Sequence, residues 1–130
     1  MQTYFENDFI TIGYDKVNHV IMHKWIVAPT SPEFREGLNY LIPAMELFNT
    51  GKIITDTICL GIIHPIDQQW LVTDWFQNVL KVGYSQLAII IPARCFTRMS
   101  IEDTMSQVVN PVPIAYFENM EAAIAWTKQL

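Results

Sequence analysis

The first stretch of the chain is built from β-branched and aromatic residues. Phe9-Ile10-Thr11-Ile12-Gly13-Tyr14 and the run from Val17 to Ile26 flank a short polar turn, Asp15-Lys16, which predicts an antiparallel hairpin. The period then changes. Thr30-Ser31-Pro32-Glu33 supplies a hydroxyl cap, a first-turn proline and an acid at the positive end of a helix. Phe34, Leu38, Leu41, Met45 and Phe48 follow at steps of four and three, one apolar stripe that stops before Gly51. Pro43 lies inside that stripe and removes a backbone donor, a defect of roughly 3 kcal/mol in an ideal helix, so a kink is expected between Asn39 and Pro43.

Lys52 to Ile58 reads as the third strand, and a ten-residue uncharged stretch leads to Pro65 and Asp67, with Asp67 expected to cap the second helix. In that helix Leu71, Val72, Trp75, Phe76, Val79, Leu80 and Val82 form a broad apolar face, opposite Thr73, Asp74, Gln77 and Lys81. Gln86 to Pro92 is continuously apolar at its centre, as a strand covered on both faces requires. Ser100-Ile101-Glu102-Asp103 resembles a capping box opening a short helix to about Val109, Pro113 to Phe117 is the last strand, and Asn119 caps a closing helix. The order is ββαβαβαβα. Strands separated by helices pair in parallel through right-handed crossovers, so the expected fold is α/β, a mostly parallel mixed sheet with helices mainly on one face.

At 130 residues without a linker, repeat or low-complexity tract, the chain is expected to form a single domain over residues 1–130. Its formal charge of −5 supplies no cationic field for a phosphate backbone, so nucleic acid is not an expected partner. The longest stretch free of Asp, Glu, Lys and Arg runs from Thr104 to Phe117 and is broken by Pro111 and Pro113, so no membrane span is expected. Met1 to Asp8 carries two acids and no base, unlike a secretory leader, and a cytoplasmic location is expected. Cys59 and Cys95 are read as reduced, partly buried thiols.

Chemistry-bearing patterns are scarce. Gly13, Gly37, Gly51, Gly61 and Gly83 are each isolated, so no loop gathers backbone N–H groups around a phosphate. None of Ser31, Ser85, Ser100 or Ser106 sits in a G-x-S-x-G elbow. His19 and His23 on one strand lie about 13 Å apart at roughly 3.3 Å per residue, too far to share a metal ion, and are read as partly exposed. No catalytic residue, metal site or cofactor is expected. The candidate binding residues are Asp56, Thr57, His64, Asp67 and Trp70, gathered where the third strand ends and the second helix begins. Parallel sheets collect strand ends, loops and helix N-termini on one rim, and Asp56 and Trp70 have the weakest purely structural roles along the chain.

The element order, together with Trp25, Pro32, Phe34 and Arg35-Glu36-Gly37-Leu38, Thr55-Asp56-Thr57 and Asp67-Gln68-Gln69-Trp70-Leu71, resembles a stand-alone bacterial STAS-like domain. Tyr116 to Trp126 looks like the last strand and helix of the same group. Its better known relatives are anti-sigma-factor antagonists, in which a serine at the start of the second helix is phosphorylated to switch partner binding. That pattern, D-S-S-G-L, has no counterpart between Thr57 and Trp70, and Thr57 lies too early to replace the serine. The resemblance implies a non-catalytic regulatory or scaffold module that binds protein without the phosphoacceptor serine. The alternative is a binder of small apolar or acyl ligands, in keeping with the 51% hydrophobic composition. A homodimer through an uncovered sheet face or the hairpin edge, and a regulatory protein partner, are the expected associations.

Overall fold

A computed structural model describes residues 1–92, 96–108 and 112–129. Its six-stranded sheet runs in sequence order: β1 (Gln2–Glu6), β2 (Ile10–Asp15), β3 (Val20–Trp25), β4 (Lys52–Asp56), β5 (Gln86–Ile90) and β6 (Ile114–Phe117). The pairs β1–β2 and β2–β3 are antiparallel, whereas β3–β4, β4–β5 and β5–β6 are parallel. The mixed, mostly parallel α/β sheet is as the pattern predicts, with one addition. Strand β1 pairs along the outside of β2, so the hairpin is not an edge, and β1 takes that place.

Helices α1 (Ser31–Asn39) and α2 (Leu41–Phe48) form one interrupted stripe. At its start Thr30 and Glu33 make a reciprocal capping box: the Thr30 amide donates to the Glu33 carboxylate at 2.9 Å, and the Glu33 amide to Thr30 Oγ1 at 3.4 Å. The break falls at Tyr40, within the span that Pro43 marks. The second helical region is continuous from α3 (Pro65–Trp70) through a π-helical turn (Leu71–Trp75) into α4 (Phe76–Lys81). Leu71, Trp75, Phe76 and Val79 are buried and Thr73, Asp74, Gln77 and Lys81 exposed as predicted, but Val72 and Val82 are only half-buried and Leu80, expected on the apolar face, is exposed, because the π-helical turn interrupts the 3.6-residue repeat before it.

Helices α5 (Phe96–Met105) and α6 (Met120–Thr127) complete the fold. Helix α5 begins before Ser100, so Ser100 is not a cap; its buried hydroxyl accepts from the Ile63 amide at 3.0 Å instead. The helix ends at Met105 instead of running to about Val109, with the Ser106 and Gln107 amides donating to the Glu102 and Thr104 carbonyls as the chain turns away, while Cys95 lies outside the described residues. Asn119 caps α6 as expected, accepting from the Ala122 amide at 2.9 Å.

Two apolar layers hold the sheet. Ile10, Ile12, Ile21, Trp25, Ile53 and Ile89 face the larger core with residues of α1 to α5, while Val20, Met22, Ile54, Ala88 and Ile90 meet Ala123 of α6 on the other side. Helices therefore crowd one face, and α6 covers part of the second. Lys52 Nζ donates to the Thr127 carbonyl at 2.9 Å and Gln86 Nε2 to that of Trp126 at 3.3 Å, tying the C-terminal end of α6 to the starts of β4 and β5. Gly51 has no room for a side chain: an added Cβ would lie 1.8 Å from the Gly83 carbonyl oxygen.

Candidate functional site

The C-terminal ends of β3, β4 and β5 lie on one rim because these strands are parallel. The connections leaving β3 and β4 touch there, since a Cβ at Gly61 would lie 3.5 Å from that of Ala28. Between them opens a pocket of about 150 Å3, with Phe34, Leu60 and Ile63 as apolar wall and Ser31, His64 and Asp67 as polar wall.

His64, rather than Asp67, caps α3, its Nδ1 accepting from the Ile66 amide at 3.2 Å. Asp67 turns inward from the first turn and is 3% exposed. Its Oδ1 accepts from Ser31 Oγ at 2.7 Å and from Arg35 Nε at 2.9 Å, so the start of α1 is fastened to the start of α3. Such a charge needs partners because a buried carboxylate without them is costly. The Arg35 guanidinium in turn lies 5.2 Å over the Trp70 ring, which packs edge-on against Phe34 with centroids 6.3 Å apart.

The five candidates thus separate into levels. His64 and Asp67 line the rim pocket, and Trp70 is joined to it through Arg35 and Phe34. Thr57 is buried one layer below, donating Oγ1–H to the Ile90 carbonyl at 2.8 Å, so its hydroxyl is committed to the strand. Asp56 accepts from the Ile58 amide at 3.0 Å and belongs to a different groove of about 280 Å3, with Thr11, Met22, Lys24 and Met120. Neighbours along a strand point to opposite faces, which sends Asp56 and Thr57 apart. Ser31 and Arg35 were missed from sequence, although Arg35 lies one helical turn after Ser31 and shares its face.

Beneath the rim pocket is an apolar cavity of about 50 Å3, floored by Thr55, Thr57 and Ile89 and roofed by Leu71 and Trp75. Thr55 Oγ1 meets His23 Nδ1 at 2.8 Å. His23 is 1% exposed, which corrects its reading as a partly exposed residue, and burial pushes its pKa down to about 4. His19 is not on the strand at all, but in the turn before β3 with φ of 55°. Cys59 is an exposed thiol rather than a partly buried one. Among the described residues no cluster of His, Cys, Asp or Glu has the makings of a metal site, and no helix is long and apolar enough to cross a membrane.

No family model, curated protein or solved structure matches this chain. The site is therefore read from its own geometry. Trp70 is half-buried, so Trp70→Ala is expected to cost about 2 kcal/mol in urea denaturation, below the roughly 3–5 kcal/mol of a fully buried aromatic. A loss in that upper range would make Trp70 a core residue and leave the rim without its aromatic anchor.

Proposed function

We propose that the chain is a non-catalytic, STAS-like protein-binding module, regulatory or scaffold in role, which docks its partner on the C-terminal rim of the parallel strands. The supporting observation is the set of large apolar side chains exposed there. Ile26 and Val27 follow β3, Ile58 and Ile62 follow β4 with Ile66 beside them on α3, and Phe96 and Met99 open α5. Scattered apolar residues are ordinary on a surface, but a concentration on one rim of converging loops is typical of a recognition surface. Thr57, with its hydroxyl held by the Ile90 carbonyl, does not supply the phosphoacceptor that the resemblance lacks.

The small-ligand alternative, in its acyl form, has less support. A cavity of about 50 Å3 is well below the roughly 150 Å3 that holds benzene, so it admits no acyl chain as it stands. Self-association stays within the proposal with a changed contact. Val20 and Met22 are already buried, so the second sheet face loses its claim, while β1 is an edge strand with one side unpaired.

The double variant Ile62→Glu/Ile66→Glu tests the docking rim, because both side chains are exposed and the fold should keep its stability within about 0.5 kcal/mol. Affinity capture from the source cell should return a partner with the unaltered chain and lose it at least tenfold with the variant. A partner held equally by both proteins would place docking elsewhere. Light scattering is expected to return twice the 15.0 kDa chain mass for both, since the β1 edge is untouched.

A further inference from the structure

The rim pocket and the core cavity share Phe34, Leu60 and Ile63 as a common wall. Each of these side chains is nearly buried, at 5%, 6% and 5% exposure, yet two of them come from a connection without regular secondary structure. Within it Leu60 is held by a turn, its amide donating to the Thr57 carbonyl at 3.0 Å, and Gly61 follows with φ of +77°. The partition is therefore two loop side chains and one ring. Its backbone is held, the Ile63 amide donating to Ser100 Oγ at 3.0 Å and the Ile63 carbonyl accepting from Gln68 Nε2 at 2.9 Å, so it opens by side-chain rotation with those bonds kept.

We propose that the two spaces are halves of one ligand site, closed by Phe34, Leu60 and Ile63, which takes a small aromatic molecule carrying one hydrogen-bond donor. Size admits an aromatic ring: the outer pocket of about 150 Å3 matches the roughly 150 Å3 that holds benzene, and the inner cavity of about 50 Å3 adds an almost wholly apolar end into which the ring can reach. The inner walls are apolar and aromatic, with Trp25, Leu71 and Trp75 facing the sheet residues. Both hydroxyls on the floor are engaged, Thr55 with His23 and Thr57 with the Ile90 carbonyl. Polarity is left to the mouth. There, among the described residues, Asp67 receives its hydrogen bonds on Oδ1, which leaves Oδ2 as the acceptor for a donor on the ligand. A ligand that selects the open arrangement makes a minor conformation dominant, as differential affinity requires. This site requires no protein partner, so its test is separate from that of the docking rim.

The probes are phenol, anisole and toluene, which share a ring and differ in carrying a donor, only an acceptor, or neither. Titration of the full chain, followed by methyl resonances, is expected to give saturable shifts at Leu60, Ile63 and Leu71 with all three. Phenol should bind roughly three- to tenfold more tightly than the other two, the range of one net hydrogen bond. Nuclear Overhauser contacts from ring protons to the same methyls locate the ligand in the unaltered protein. Leu60→Trp, checked for folding by circular dichroism, should fill the partition and abolish the shifts. The proposal is overturned by shifts that do not saturate, by contacts lying only outside Leu60 and Ile63, or by phenol binding no better than anisole. If Leu60→Trp does not fold, the contacts in the unaltered protein decide.

Discussion

Trp75→Ala is expected to lower the unfolding free energy by about 5 kcal/mol in urea denaturation, the largest loss foreseen for a single side chain here. Trp75 is 2% exposed and stacks edge-on against Phe76 with centroids 5.1 Å apart. Truncation opens a void beside the cavity of about 50 Å3 that Trp75 already lines, and a larger void relaxes less completely. A second loss is polar. Trp75 Nε1 donates to the Leu38 carbonyl at 2.9 Å, in the last turn of α1, where helix carbonyls run out of partners. Trp75→Phe separates the two contributions, since it keeps most of the packing and abandons the carbonyl. Its cost should be about 1–3 kcal/mol. Equal losses for both variants would mean that the hydrogen bond, rather than the ring volume, holds α1 to the π-helical turn.

The core elements were legible because their signals are local. The stripe from Phe34 to Phe48, its hydroxyl cap and the break before Pro43 all depend on residues within a few positions of one another, and β5 shows its double coverage as an apolar run. Strand β1 was not legible, and the reason is its irregular register. Between Thr3 and Phe5 the pairing with β2 shifts, so Tyr4 packs against Phe48 while the adjacent Phe5 packs against Tyr40. Two neighbours on one side of a strand erase the period of two that a sequence reading depends on. Ser100 failed for the opposite reason: its local pattern is a good cap, but a tertiary bond to the Ile63 amide claims the hydroxyl.

For the candidate site, parallel topology directs attention to the rim, where His64 and Asp67 line one pocket. What the sequence withheld is long-range partnership. Asp67 looks like a cap by spacing, but Ser31 and Arg35, more than thirty residues earlier, occupy its carboxylate and free the capping role for His64. The direction of Asp56 is a matter of which sheet face carries more helices, and that follows from where α6 settles rather than from any residue near Asp56.

Acid sensitivity offers the second large effect. His23 is buried beside Trp25 and Thr55, and desolvation lowers its pKa from 6.5 to about 4, with the Gly37 carbonyl pulling weakly the other way. Its Nε2 has no hydrogen-bond partner among the described residues, so the pull of the Gly37 carbonyl is too small to offset the loss of water around a charge there. Between those two values the unfolded chain takes up a proton that the folded chain refuses. Stability therefore rises with pH across this window and is lost as pH falls from about 6.5 towards 4, by up to 1.4 kcal/mol per pH unit and roughly 3 kcal/mol in all. Below about pH 4 both states are protonated at this position and its contribution stops changing. His23→Leu removes the titrating group while keeping an apolar side chain of similar bulk, at the expense of the bond to Thr55. Denaturation midpoints followed from pH 7 to pH 4 should fall more steeply for the unaltered chain than for the variant, whose remaining slope reports the carboxylates. Parallel curves would show that His23 takes its proton without unfolding the chain, and that the layer between β3 and α1 admits a charge which its packing gives no means to solvate.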